Sequence, residues 1–327
     1  MTTPRVIPKE VPLRLAFLGC GNIARRHAQL IRRRFRDVQV YFASRDGTRA
    51  GQFSRELGGA GSFAGYASAL ADSSIHVAFV ATPTAQHLEL TLSALAAGKD
   101  VIVEKPPFMT SGDFDQVEAA MTASGRRVFV AENYHYRPLT RTLRKLIGGG
   151  AVGEVRYLIV KALKQQKTGG WRDEAKIAGG GALFEGGIHW VDLMGSVGLS
   201  VKSAQGYCPG HSQLERSMLV VFKYEGGAVG TLFHSWDTPS LLKGLRLSRI
   251  YGSGGSIAFE SNGLFLLLFS RRPRIIFPGF RDISGYGAML ADFLGAIRSG
   301  REPEFSLAMA RRDLQLVEEA YRTAAES

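Results

Sequence analysis

The sequence predicts an α/β domain with a doubly wound parallel sheet, followed by an α+β domain with an open, mostly antiparallel sheet. Three observations carry this. Between Leu13 and Ala131, short apolar runs alternate with helical stretches, the pattern of right-handed βαβ units. The first run passes into the first helix through Gly19-Cys20-Gly21-Asn22-Ile23-Ala24. From Val155 onward strand signals dominate and helices stand apart.

Taken in order, residues 1–12 read as a loose tail and Leu13–Leu18 as the first strand. The Gly19–Ala24 turn leads into a helix to about Phe35. Val38–Ala43 is a strand, Arg49–Leu57 a helix, and Ser62-Phe63 a short strand. The β-branched run His76–Ala81 is a strand closed by Thr82-Pro83, and Leu88–Ala97 is a helix closed by Gly98. Val101–Val103 is a strand, 111–124 a helix, and Arg127–Ala131 a strand. The domain boundary is placed here, giving 1–131 and 132–327. Beyond it, strands are expected at Val155–Leu163, Ser203–Tyr207, Ser217–Tyr224, Ala228–Trp236, Arg246–Tyr251 and Ser256–Phe259. Glu225-Gly226-Gly227 forms a hairpin turn. Helices are expected near Gly187–Gly195, Tyr286–Ser299 and Ser306–Ala325.

Composition bounds the function. The chain has 327 residues, 45% apolar and 21% charged, as in ordinary globular proteins. The longest apolar run, Leu264–Phe269, is far too short to span a bilayer, and the Pro-rich N-terminus lacks a signal-peptide core. Two cysteines, Cys20 and Cys208, give no disulfide framework, so a reducing cytoplasm is expected. With 41 Lys and Arg against 29 Asp and Glu, the formal charge is +12, which attracts anionic ligands. The arginines are scattered, and no aromatic residues interleave a basic stripe, so nucleic-acid binding is not expected. Nor is a metal site: Cys208 and His211 are near in sequence, but two ligands do not make one.

Three motifs carry chemistry. In the glycine turn, Gly19 permits the tight turn, Gly21 lets backbone approach a pyrophosphate, and small Ala24 packs helix on strand. After the second strand, Ser44 and Arg45 suit the 2′-phosphate of NADP. Asp46, acidic but one or two places late for a ribose hydroxyl, keeps NAD open. Glu104-Lys105-Pro106 ends the fifth strand, where open α/β sheets bind ligands, and a lysine there can act in proton transfer. The third motif, Gly179–Asp192, holds Glu185 and His189 four apart on a helix, an acid–base pair, with glycines that let a ligand come close. Asp192 is set to support the ring or the helix.

Together with Ala81-Thr82-Pro83-Thr84-Ala85-Gln86-His87, Ala97–Val101, Gly150–Val155 and Tyr251–Ser256, these motifs resemble the glucose–fructose oxidoreductase / inositol dehydrogenase / rhizopine-catabolism (Gfo/Idh/MocA) family over nearly the whole chain. The resemblance implies a Rossmann domain joined to an open-sheet domain. It also implies hydride transfer between NAD(P) and a hydroxyl-bearing carbon, usually of a sugar or cyclitol, by a homodimer or homotetramer. The catalytic residues it implies are Lys105, His189 and Glu185, the last standing where many members carry Asp. Cofactor contacts are expected at Gly19, Gly21, Asn22, Ile23, Ala24, Ser44, Arg45, Thr82, Pro83, His87, Glu104 and Lys105. Substrate contacts are expected at Tyr134, Arg137, Lys161, Trp171, Arg172 and Asp192, with Lys164 a further candidate. The competing expectation is a cofactor-binding redox sensor or regulator without dehydrogenase activity.

Overall fold

A computed structural model describes residues 6–8, 10–210, 214–239 and 245–326, without the side chains of Trp171, Asp173 and Ala175. The chain divides into two compact units, 1–132 with 287–310, and 133–286 with 311–327.

In the first unit, β1 (Leu13–Leu18), α1 (Asn22–Arg34), β2 (Val38–Ser44), α2 (Gly47–Leu57), β3 (Gly61–Ala64), α3 (Tyr66–Ala71), β4 (Val77–Val80), α4 (His87–Ala96), β5 (Asp100–Glu104), α5 (Asp113–Ser124) and β6 (Val128–Ala131) follow one another. The six strands form one sheet in the order β3-β2-β1-β4-β5-β6, every pairing parallel. Such a sheet is covered on both faces, which is why β4 and β5 are buried at every position. The order reverses beside β1, so the crevice beyond the carboxyl ends of β1 and β4 is the ligand position of this topology. On α1, Ala24, His27, Ala28 and Ile31 recur at helical spacing and face the sheet, while Arg32, Arg33 and Arg34 close its last turn against the helix dipole.

The second unit contains α6 (Pro138–Gly148), β7 (Val155–Leu163), a short α7 (Ala175–Ala178), a π-turn Leu183–Gly187 that runs straight into α8 (Ile188–Ser196), then β8 (Val201–Tyr207), β9 (Ser217–Tyr224), β10 (Val229–Ser235), β11 (Leu247–Gly252), β12 (Gly255–Glu260), β13 (Leu266–Phe269) and β14 (Arg274–Ile276). Its eight-stranded sheet has the order β14-β13-β12-β11-β7-β10-β9-β8. Every pair is antiparallel except β7 with β10. Strands β9 and β10 alternate between the buried, helix-covered face and the other, more open face. Two helices close the chain, α9 (Tyr286–Ser299) and α10 (Leu307–Ala325). Residues 287–310 group with the parallel sheet, where Phe293 packs on Phe129 with ring centroids 5.4 Å apart.

Candidate active site

In the first unit the glycine turn is built around one close approach. Gly19 has φ +116°, and a Cβ there would stand 2.6 Å from the Ala81 carbonyl, so only glycine fits. Gly21, by contrast, faces open space: a Cβ there would meet nothing within 4 Å. It caps α1 without any side-chain hydrogen bond, and no acidic residue lies in the first turn. Asn22 is exposed and Ile23 half-exposed there, while Ala24 is buried against the sheet. The N–H groups of this helix start are thus presented without a competing carboxylate. Thr82 lies against Gly19, and its buried hydroxyl has no partner among the described residues.

At the end of β2, Asp46 Oδ1 accepts from the N–H groups of Thr48 (2.9 Å) and Arg49 (3.3 Å), capping α2. Ser44 Oγ accepts from Asp46 N (3.3 Å), and the exposed Arg45 lies beside the Tyr66 hydroxyl, whose pKa burial raises. Arg49 clamps the Cys20 carbonyl with Nε and Nη2 (3.0 and 2.7 Å). Burial pushes the Cys20 thiol up to about 11, against the pull of Arg49.

Glu104 and His87, expected to touch cofactor, are turned inward, because each is spent on internal bonds. Glu104 is 6% exposed and its Oε1 meets His27 Nε2 at 2.6 Å. Burial disfavours its charge, but the hydrogen bond from His27 and the charges of His27, Lys105 and His87 hold its pKa below the usual carboxylate value. Its other oxygen accepts from Lys105 N (3.2 Å). His87 Nε2 lies 2.9 Å from the Thr82 carbonyl and Nδ1 2.9 Å from that of Pro106, and burial lowers its pKa. The two His87 bonds hold the turns after β4 and β5 together, and the Glu104–His27 pair ties the end of β5 to α1. Lys105 itself stays partly exposed, ahead of a cis bond to Pro106.

In the second unit the His189 ring stacks on Tyr134, centroids 4.2 Å apart and 8° from parallel. Trp190 meets the Tyr134 ring edge-on at 5.3 Å and carries the Arg246 guanidinium at 5.4 Å. Glu185 lies in the π-turn and His189 in α8, so the two do not belong to one regular α-helix as the sequence implied. The Glu185 carboxylate accepts from Arg172 Nε at 3.1 Å. Behind them His234 is buried, and its pKa is pushed down to about 3 by burial first and then by the charges of Lys164, Arg246 and His189. The glycines of the motif serve packing as much as access: a Cβ at Gly181 would strike Glu215.

Three expected substrate contacts are placed otherwise. Asp192 is fully buried, where its Oδ1 accepts from Ser196 Oγ (2.7 Å) and sits 3.2 Å from His135 Nδ1, so it ties α8 to the segment after β6. Arg137 is 6% exposed; it lies over the Tyr134 ring at 4.4 Å and donates to the carbonyls of Ser261, Asn262 and Ile283. It supports Tyr134 rather than facing a ligand. Lys161 is exposed and pairs in register with exposed Phe233, on the opposite face of the sheet from His234 and the π-turn. Trp171 lies in the 3-10 turn Gly170–Asp173, its side chain outside the described residues, as is His211. Among the described residues, no group of three or more His, Cys, Asp or Glu could hold a metal ion, and no helix is long and apolar enough to cross a membrane.

Comparison with known proteins gives two family matches, "Oxidoreductase family, NAD-binding Rossmann fold" over residues 13–132 and "GFO/IDH/MocA C-terminal domain" over 140–258. The uncharacterized oxidoreductase YfiI of Bacillus subtilis (strain 168) is 28% identical over 200 residues, 56% of this chain and 51% of that one. Levoglucosan dehydrogenase of Pseudarthrobacter phenanthrenivorans is 30% identical over 161 residues, 48% of this chain and 41% of that one. The chain thus spans about half the length of these curated relatives or less. A crystal structure of levoglucosan dehydrogenase in complex with NADH and levoglucosan shares the fold, with a TM-score of 0.84, 22% identity, and coverage of 96% of this chain and 97% of that one.

Proposed function

The chain belongs to the Gfo/Idh/MocA family of oxidoreductases, and from that membership we propose that it transfers a hydride between a nicotinamide dinucleotide and a hydroxyl- or carbonyl-bearing carbon of a sugar, cyclitol or related small molecule. The observation that carries this reading is the glycine turn. Gly21 opens onto free space, and α1 begins without a capping side chain or an acidic residue in its first turn. A pyrophosphate fits both. We assign 1–131 to dinucleotide binding and 132–327, apart from the 287–310 segment that groups with the parallel sheet, to substrate binding and assembly as a homodimer or homotetramer. We place the enzyme in the cytoplasm, with no nucleic-acid partner.

When bound, the nicotinamide supplies the hydride acceptor or donor. The roles of this chain's own residues are assigned by family resemblance, and their settings support them. Lys105 Nζ polarises the substrate oxygen; its backbone is pinned by Glu104. The His189 imidazole exchanges a proton with the substrate oxygen, held flat by Tyr134. Glu185 orients the imidazole or carries the proton onward, with Arg172 Nε donating to its carboxylate.

For the cofactor we propose NADP over NAD. Asp46 Oδ1 is engaged by two N–H groups as the cap of α2, while Ser44 and Arg45 flank the same turn. A charge-assisted contact to the 2′-phosphate contributes about 1.5–3 kcal/mol, or about ten- to a hundredfold in affinity. Titration of both reduced cofactors, followed by fluorescence, checks this: NADPH is expected to bind at least tenfold more tightly. Equal or tighter NADH binding refutes it.

A further inference from the structure

The helical run that carries Glu185 and His189 starts in an unusual way. The first N–H groups of a helix have no partner within it. Here all four, from Gly181 to Phe184, are accepted by two residues distant in sequence. Gly181 N and Phe184 N donate to Tyr321 Oη (3.1 and 3.2 Å). Leu183 N donates to both carboxylate oxygens of Glu215 (3.1 and 3.2 Å), and Ala182 N to the Glu215 main-chain carbonyl (2.8 Å). Tyr321 Oη gives its own proton to Glu215 Oε2 (2.7 Å). A hydroxyl has one proton and two lone pairs, so Tyr321 is fully used. Glu215 comes from the loop before β9 and Tyr321 from α10.

We propose that Glu215 and Tyr321 are positioning residues that clamp the first turn of this run and so aim Glu185 and His189. The inference rests on the catalytic roles proposed above. An ordinary cap uses the residue at the helix start itself, and the whole turn is free to fray. This cap is anchored on a strand loop and on the last helix, so the turn cannot rotate without breaking bonds to both. Glu185 N donates to the Gly181 carbonyl (3.0 Å), so one bond passes any shift of Gly181 to Glu185. At Gly181 a Cβ would stand 2.1 Å from the Glu215 carboxylate, which fixes glycine there by close approach.

Tyr321→Phe keeps the ring and removes the oxygen; Glu215→Gln keeps the shape and removes the charge. Each is expected to lower kcat about ten- to a hundredfold while the KM for cofactor holds, as small misplacements do. Amide exchange at 181–189 should quicken, with the parallel-sheet unit unaffected. In a Glu185→Gln/His189→Ala background the further loss from Tyr321→Phe should largely vanish, because the clamp acts through those two groups. Unchanged exchange at 181–189, or a full loss persisting in the Glu185→Gln/His189→Ala background, overturns the proposal. If Glu185→Gln and His189→Ala are themselves silent with a turned-over substrate, the catalytic reading fails and the aiming role falls with it.

Discussion

Lys105 stands one peptide beyond the buried Glu104–His27 pair, its N–H held by the same carboxylate. That places its ammonium at the end of β5 but leaves the glycine turn to Gly19, Gly21 and the start of α1. Lys105→Ala is therefore expected to abolish most turnover while cofactor affinity, read by fluorescence titration, changes no more than a few-fold; a collapse of affinity would make it a cofactor clamp. His189→Ala should lower kcat by about 10²–10⁴-fold, the usual contribution of a general acid–base, and Glu185→Gln by less. The pH profiles of the two variants decide the order. If Glu185→Gln is the more damaging and His189→Ala nearly silent, the roles are exchanged. At this scale the sequence was legible where a residue type is rare in its setting, as with Gly19, whose positive φ and close approach to Ala81 admit only glycine. It was silent about burial. Asp192, Arg137 and Lys161 are polar residues near the motifs, and nothing in their types says that two are turned into hydrogen-bonded interiors and one onto the far sheet face. Glu215 and Tyr321 meet across 106 residues, a pairing only the folded topology creates.

Among elements, β10 carries the clearest pH dependence. His234 is buried, with its pKa pushed down to about 3, whereas an unfolded histidine titrates near 6.5. The unfolded chain therefore binds the extra proton first. The stability that neutral His234 contributes is present above pH about 6.5 and is lost as pH falls toward 3, at up to about 1.4 kcal/mol per pH unit. Thermal unfolding between pH 7 and pH 4 should show this loss, and His234→Gln should flatten it; a slope unchanged by His234→Gln assigns the acid sensitivity elsewhere. Periodic elements were the legible ones. Strands form over Val155–Leu163 and Ser217–Tyr224 and a helix over Tyr286–Ser299 with the expected bounds. Helix α6 went unread although Pro138 stands at its first turn and Leu139, Leu143 and Ile147 share its buried face. Its other face is mostly threonine and basic residues, so the apolar stripe was there to be read at helical spacing and was simply missed. The π-turn at Leu183–Gly187 was hidden because the sequence spacing of Glu185 and His189 is that of an α-helix, and one added residue per turn leaves no compositional trace.

For the molecule as a whole, alternation of strands and helices and then a run of strands announced both sheets, and the order of the parallel one places its crevice beyond β1 and β4. The net charge of +12 said only that anions are favoured; the uncapped start of α1, with no acidic residue in its first turn, gives that charge a local use. The central claim, hydride transfer between a nicotinamide and a CH–OH carbon, is tested most directly by isotope transfer. The enzyme is incubated with oxidised NADP and a panel of sugars and cyclitols deuterated at their carbinol carbons, and the cofactor is recovered for mass spectrometry. The account predicts reduced cofactor carrying one deuterium with at least one compound, formed far more slowly by Lys105→Ala. Tight cofactor binding with no deuterium transferred from any of them would contradict it and favour a cofactor-binding regulator.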